Sequence, residues 1–522
     1  AILAQASSRE KHHQHMAGGK GRKRFSHSRR ATGAVEPQKR LLGPRYRGFC
    51  PLPENFSKAA GAGAPHPGPL EVDRRCLSDI SPSEFFDCFV RQRRPVVLAT
   101  QQPLADLFGL HGASAAWALP GKEGVRAMRD GPAGSSVVAV EWRSTTSEAF
   151  GQSDASKRRR STLSEFCSAL EAGSELGYLT TQPIDEDDDG CPVALAAPHL
   201  LALLAGARRL RPKLVGALAP VQYNLWFGRA GEGTTSGLHH DFHDNLYVLL
   251  RGEKEFRLFS PRCADILRPV GLDQATKPCM HANGLLCYVQ DIREDGAPES
   301  VLRKWRRQTQ ASSRGSQSNK SVFGGLNDTD DEEDRLLELA LDNAIHESAS
   351  EAEQETSEVG KRTASRRQQK QQPQRLPDSF CRWSTVVSLE SSVGPCQPPV
   401  PSPLQGRHMT ARLSAGDLLY LPASWFHEVI SRGPDAGGHL ALNVWFAPPS
   451  SNGSFACPYQ DEFWQSKYRQ LLRAARKVQE KGTTVKARRT NKVKKRVPKA
   501  DTIVWQASTE RERLVGRKTK RK

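Results

Sequence analysis

His239 and Asp241, in the string SGLHHDFHDNLYVLLRGEKEFRLF, and His427, in GDLLYLPASWFHEV, have the types and the spacing to hold one metal ion. In a strand, side chains at i and i+2 project to the same face, so His239 and Asp241 are expected to point together while His240 points away. His427 follows Trp425 and Phe426 after the apolar run Leu418-Leu419-Tyr420-Leu421, which reads as a buried strand closed by Pro422. Two imidazoles and a carboxylate on one face of a metal leave the opposite face open, the arrangement by which non-haem Fe(II) oxygenases bind a co-substrate and O₂. Zinc hydrolases use the same donor set, so these three residues alone leave the metal open. His240 and His243, beside them, read as solvent-facing or supporting groups rather than ligands.

Lys254 narrows the choice. It lies fifteen residues after His239, across an expected hairpin from Tyr247 to Lys254, at the start of the apolar strand Phe256-Arg257-Leu258-Phe259. A lysine pointing into a barrel is costly unless it meets an anion, whereas on a solvated hairpin it is ordinary. Taken with the triad, Lys254 suits a dicarboxylate such as 2-oxoglutarate, which would chelate iron through its keto-acid end and need a fixed cation for its far carboxylate.

These strings, in order with several others, resemble the jumonji C (JmjC) hydroxylases of the cupin superfamily. They are most similar to the small asparaginyl- and lysyl-hydroxylase branch that includes factor-inhibiting-HIF enzymes. SPSEFFDCFVRQRRPVVL (81–98) is similar to that family's opening helix and first strand, and STLSEFCSALEAGSELGYLTTQP (161–183) to its second helix and following strand. QYNLWFG (222–228) resembles the strand leading into the iron loop, and LNVWF (442–446) completes the pattern, which runs over roughly 70 to 447.

The resemblance implies a mainly β fold with flanking helices, a double-stranded β-helix of the jelly-roll or cupin type. It implies His239, Asp241 and His427 as iron ligands and Lys254 as the partner of the remote carboxylate of 2-oxoglutarate. Ser236 stands where the family often has a threonine whose hydroxyl contacts that carboxylate. Tyr178 resembles a tyrosine that binds the same group, and Asn245 and Asn443 resemble asparagines lining the co-substrate and oxygen pocket. Read from the residues alone, Tyr178 also suits a half-buried strand and Asn245 the cap of a bend. Trp226 and Phe227 read first as barrel core and otherwise, with Trp445, as an aromatic wall keeping the site dry. The activity implied is oxidation by Fe(II), 2-oxoglutarate and O₂ that hydroxylates a protein side chain, with succinate and CO₂ as co-products. Histone lysine demethylation and tRNA hydroxylation are sibling activities of the same site. A reading from a different class is a non-enzymatic cupin that binds chromatin or RNA, against which the intact triad and Lys254 stand together.

The elements that must position these residues occupy only part of the 522-residue chain, because 37% hydrophobic content and a mean hydropathy of -0.58 leave much of it too polar for a packed core. The first fifty residues hold twelve Lys and Arg against two Glu, and 467–522 hold twenty-one against four acidic residues. The net charge of +19 therefore resides in the two ends, and the remainder carries -8. The expected organisation is a disordered basic segment over 1–69, the oxygenase domain over 70–450, and a helix and basic tail over 451–522. A low-complexity insertion is expected at about 291–377, with a short helix of its own at Leu336 to Ala344. Basic clusters such as Gly21-Arg22-Lys23-Arg24 and Lys492-Val493-Lys494-Lys495-Arg496 suit nuclear targeting or contact with nucleic acid. The expected protein substrate is a histone or ribosomal protein. A helix from Tyr459 to Lys481 carries an apolar stripe of Phe463, Trp464, Tyr468, Leu471 and Leu472, suited either to pairing two subunits or to packing back on its own barrel. Eleven cysteines without a CxxC pair or signal peptide point to reduced thiols in an intracellular compartment, the nucleus by preference. No apolar run reaches the length of a membrane span.

Overall fold

Residues 439–446 alternate Leu440, Leu442, Val444 and Phe446 with His439, Ala441, Asn443 and Trp445, and a period of two gives a strand with unlike faces. The computed structural model, which describes residues 46, 48–51, 70–143, 158–173, 176–187, 191–229, 231–267, 278–288, 291–315, 404, 408–433 and 437–476, builds eight such strands into a barrel. Numbered in chain order, these are β1 (Pro220–Gly228), β2 (Gly231–Thr235), β3 (Asp244–Arg251) and β4 (Glu253–Phe259). They continue with β5 (Met409–Leu413), β6 (Asp417–Leu421), β7 (Phe426–Gly433) and β8 (His439–Phe446).

The strands fall into two antiparallel sheets, ordered β6-β3-β8-β1 and β5-β4-β7-β2. Consecutive strands lie in opposite sheets at every connection except that from β4 to β5, which pair with each other, and this is the winding of a double-stranded β-helix. Outside the barrel, β1 extends through Leu176–Leu179 to Val137–Arg143 and Arg158–Thr162, and β6 through Val96–Ala99 to Arg74–Cys76.

Each face of the larger sheet has its own core. Outward residues Tyr223, Leu225 and Phe227 on β1, Leu246 and Val248 on β3, and Leu440 and Leu442 on β8 pack under the helices, against Phe85, Phe166 and Leu170. Inward residues Tyr247 and Leu249 on β3, Phe256 and Leu258 on β4, Leu419 and Leu421 on β6, and Ala441 on β8 fill part of the barrel interior. Side-chain parity thus separates Trp226, packed against the interior cluster, from Phe227, which belongs to the helix-covered layer.

Local signals start the covering helices where the sequence placed them. Ser81 and Glu84 form a reciprocal capping box that opens the helix Pro82–Phe85, which widens into a single turn over Phe86–Val90. Thr162 and Glu165 do the same for Leu163–Ala172, which Gly173 ends in the left-handed region. Past the barrel, helix 463–476 buries Phe463, Tyr468, Leu471 and Ala475, and its stripe packs back on the same domain.

Two expectations need correction. The turn between β3 and β4 is not a hairpin: the two strands lie in different sheets, joined by Gly252 alone. Gly252 has φ +78°, and a Cβ there would lie 2.8 Å from His439 Cβ and 2.9 Å from the Arg432 carbonyl oxygen. Only glycine turns this corner without strain.

The polar segment read as beginning at about Asp291 also starts later than its composition suggests. Ile292 bridges Pro298, and Arg293, Asp295, Ala297 and Leu302 are buried. Arg293 donates to Asp295 and to Asp461, tying this segment to the start of the last helix. A helix Glu299–Gly315 begins there and runs into a second unit, Arg303–Arg375. The expected helix at Leu336 to Ala344, the remainder of the insertion to 377, and both basic clusters lie outside the described residues.

Candidate metal centre

His239 and His427 face each other across an isolated antiparallel bridge, in which the His239 N–H donates to the His427 carbonyl at 3.0 Å and the His427 N–H returns the bond at 2.6 Å. Directly opposed residues share a face, and the two rings lie 4.2 Å apart, centroid to centroid. Asp241 follows the bridge rather than lying in the same strand as His239, a correction to the strand reading. Its position is set instead by its backbone: the Asp241 carbonyl accepts from the Ser424 N–H at 2.7 Å, in the turn that leads into β7. The Asp241 Oδ2 is 3.8 Å from His427 Nε2, and one ligand atom from each of His239, Asp241 and His427 lies within 4.8 Å of the others.

The outer nitrogens fix which ring atoms are free to bind. His239 Nδ1 is 3.0 Å from the Gly237 carbonyl oxygen, and His427 Nδ1 is 2.9 Å from that of Trp425. A carbonyl oxygen only accepts, so each Nδ1 carries a hydrogen, which leaves Nε2 as the ring atom available to a metal. Burial and the neighbouring His427 push the His239 imidazolium down to about 3, so that ring is neutral near pH 7. Two imidazoles and a carboxylate on one side of a common point fit Fe(II), and the donor set also accommodates zinc.

A buried ion pair supports the ligand turn. Arg93, in the left-handed region at φ +54°, donates to both Asp244 oxygens at 2.8 and 2.6 Å. Asp244 also accepts from the Tyr420 hydroxyl at 2.7 Å and from the Ala423 N–H at 2.9 Å, the residue before Ser424. Sequence reasoning missed this network, because its partners are separated by 151 residues or more.

His240 is fully buried rather than solvent-facing. Its Nε2 lies 2.8 Å from the Tyr288 hydroxyl, and Phe242 and Phe426 pack edge-on to the ring. His243 stacks on Trp445 at 5.3 Å, with 14° between the planes.

A second polar group sits deeper in the barrel. Lys254 on β4 is opposite Ser431 on β7, and its ammonium donates to the Ser431 hydroxyl at 2.5 Å. The same ammonium lies 5.5 Å from the Tyr178 ring centroid, and Tyr178 meets His439 edge-on at 5.1 Å. Thr234 on β2 is opposite Ser431 on its other side, so its side chain shares the face of Ser431 and Lys254. Burial alone pushes the Lys254 ammonium down to about 7, and no carboxylate among the described residues offsets it. From this row to the row of His427 and Leu258 is four residues along β4, about 13 Å between Cα levels.

The remaining expected site residues divide. Tyr178 is brought to Lys254, whereas the Ser236 hydroxyl accepts from the Val429 N–H at 3.0 Å and donates to the Gly237 carbonyl, serving the backbone between β2 and β7. Asn443 donates to Asn245 at 2.9 Å and accepts from the Trp226 indole at 2.9 Å, a chain of amides on the interior wall between the two polar groups. Thr234 and Ser431 were not singled out from the sequence. Their only signal was parity with Lys254, which needs the register of β7.

Comparison with known proteins bears on the whole barrel. Residues 82–452 match the cupin-like domain family. The chain is 32% identical over 435 residues to the JmjC domain-containing protein 4 of Schizosaccharomyces pombe, covering 75% of this chain and 88% of that protein.

Proposed function

Since the chain belongs to the cupin-like family of JmjC-domain proteins, whose members are in general Fe(II)- and 2-oxoglutarate-dependent oxygenases, we propose that it hydroxylates a protein side chain, releasing succinate and CO₂. The observation that carries the reading is the buried Lys254 ammonium, which has a hydroxyl and an aromatic ring for company and no described carboxylate. A cation so placed is costly until an anion arrives. A short dicarboxylate lying along the barrel meets it at one end and the triad at the other.

His239, Asp241 and His427 are the residues that would hold the metal, which supplies oxidation of a C–H bond with O₂ when bound. The chain's other groups position and exclude. Lys254 and Ser431 take the remote carboxylate, and Asn443 and Asn245 fix Trp226 against the wall. Trp445, stacked on His243, narrows the approach to the triad. Such groups act by orientation and by keeping water out, not by proton transfer.

The direct test is succinate release from 2-oxoglutarate with Fe(II), together with mass spectrometry of candidate protein substrates. One oxygen atom gained on a peptide supports hydroxylation, methyl groups lost from lysine point to the demethylase sibling, and turnover on tRNA alone would overturn the protein-substrate reading.

Two expectations for Lys254 follow. Lys254→Met should raise the KM for 2-oxoglutarate about 10- to 100-fold, the size of a lost charge-assisted hydrogen bond, while Mn(II) binding to the triad stays as in the parent. An unchanged KM would remove Lys254 from the co-substrate site. The second expectation concerns pH. Between about 7 and the ordinary 10.5, the unfolded chain binds a proton that the folded Lys254 has lost, so its contribution to stability rises with pH across that window. A bound dianion restores the proton. Calorimetry at pH 8 in buffers of different ionisation enthalpy should therefore record proton uptake on 2-oxoglutarate binding, and none in Lys254→Met.

A further inference from the structure

Beside the metal loop, a short hairpin pairs Cys279–Met280 with Leu286–Cys287, and the register sets Cys279 directly opposite Cys287. Directly opposed residues of an antiparallel pair have Cα atoms about 4.5–5.5 Å apart, inside the range of about 4.4–6.8 Å that a disulfide spans. Both thiols are free, Cys279 exposed and Cys287 buried.

The hairpin is wired to the metal loop at three points. Cys287 and Leu285 pack against Phe242, the residue after Asp241, and against Ala423. The Leu286 N–H donates to the Ser424 hydroxyl at 2.9 Å, and Ser424 in turn donates its own N–H to the Asp241 carbonyl. Tyr288, immediately after Cys287, lies with its hydroxyl 2.8 Å from His240 Nε2.

We propose that Cys279 and Cys287 are a thiol modification site, closed to a disulfide by peroxide, and that closing it shifts the hairpin and weakens metal binding at the triad. Disulfide formation stands on the hairpin alone, whereas its effect on metal rests on the proposed metal site.

The chemistry balances with one peroxide. Cys279 Sγ attacks a peroxide oxygen, the O–O bond breaks, and water leaves with Cys279 as a sulfenic acid. Cys287 Sγ then attacks that sulfur, the S–O bond breaks, and the S–S bond forms as a second water departs. Two thiols are oxidised by two electrons, and their protons end in the two waters. Exposure makes Cys279 the first to react, whereas burial pushes the Cys287 thiol up to about 12 and keeps it from reacting first, so that Cys287 is left to resolve a sulfenic acid held directly opposite it.

The link reaches the metal through geometry. Joining the two sulfurs replaces a contact between free thiols by a bond of about 2 Å with a fixed dihedral, which turns the Cys287 side chain toward Cys279, and Cys287 is the residue that packs on Phe242 and Ala423. Leu286 and Tyr288 on either side of it hold Ser424 and His240. A small shift of this strand therefore moves the backbone on both sides of Asp241.

The experiment treats the full chain with hydrogen peroxide, blocks remaining thiols, and maps a digest cut after Leu285. The expected result is a disulfide-linked pair of peptides carrying Cys279 and Cys287, removed by a thiol reductant and missing in Cys279→Ser. In Cys287→Ser, Cys279 should instead be trapped as a sulfenic acid by a 1,3-dione. Mn(II) affinity, read by electron paramagnetic resonance, should fall about fivefold or more on oxidation and recover on reduction, while Cys279→Ser ignores peroxide. No linked pair in the parent chain overturns the site. A linked pair with unaltered Mn(II) affinity overturns its coupling to the metal. Reduced protein that takes up no Mn(II) refutes the metal reading itself, and the peptide map still decides the thiol site.

Discussion

Asp241→Ala should cut succinate release at least about 100-fold and abolish tight Mn(II) binding, while the fold stays intact. Outer groups that only orient metal ligands typically cost 10- to 100-fold when removed, so loss of a ligand sets that range as a lower bound. Asp241 brings the only formal negative charge in the triad, and without it two neutral imidazoles face a divalent cation alone. The substitution is also clean structurally. What holds residue 241 in place is its backbone carbonyl, which accepts from Ser424 whatever the side chain. The His239 and His427 bridge is backbone as well. Thermal unfolding of the metal-free proteins should therefore coincide, and parent-like succinate release by the variant would remove Asp241 from the metal site.

A larger effect on stability is expected one turn away, where no ligand is touched. Asp244→Ala should cost about 3–5 kcal/mol of unfolding free energy, read from urea midpoints, because it leaves the buried Arg93 guanidinium without its carboxylate. The Tyr420 hydroxyl and the Ala423 N–H lose their acceptor at the same time. Ala423 begins the turn whose next residues hold Asp241 and orient His427, so metal affinity should fall too, although all three ligands remain. Replacing both charges, as Arg93→Met with Asp244→Leu, removes the uncompensated cation and should recover part of the loss. A double variant no more stable than Asp244→Ala would mean that something other than the ion pair was holding the turn.

How much of this was legible beforehand depended on distance along the chain. The triad and Lys254 stood out because their identities and intervals carry the pattern, and the first two helices fall inside the strings the resemblance assigned to them, although the capping boxes that open them at Ser81 and Thr162 were not read. What failed needed partners. The run from Tyr247 to Lys254 reads as a hairpin in sequence, since nothing local reveals that Gly252 passes the chain from one sheet to the other. Thr234 and Ser431, which share the face of Lys254, were passed over because only the register of β7 brings them there. Residues 291–302 look like linker because they are polar, and they are ordered because Arg293 finds Asp295 and Asp461. Composition reports burial of apolar groups and is blind to burial of paired charges.

The bridge between His239 and His427 makes two of the proposed ligands also the fastening of the chain at that point. An ion held there acts as a clasp across a single rung, joining the segment after β2 to the first turn of β7. Occupancy and local opening then become one equilibrium: at an ion concentration 100 times Kd, binding adds about 2.7 kcal/mol to whatever resists unzipping at that rung. In metal-poor surroundings, the backbone amides at the mouth of the barrel should exchange ahead of those of the helix-covered sheet. On the proposed metal site, the protein would in that sense register the supply of the ion as looseness at its entrance.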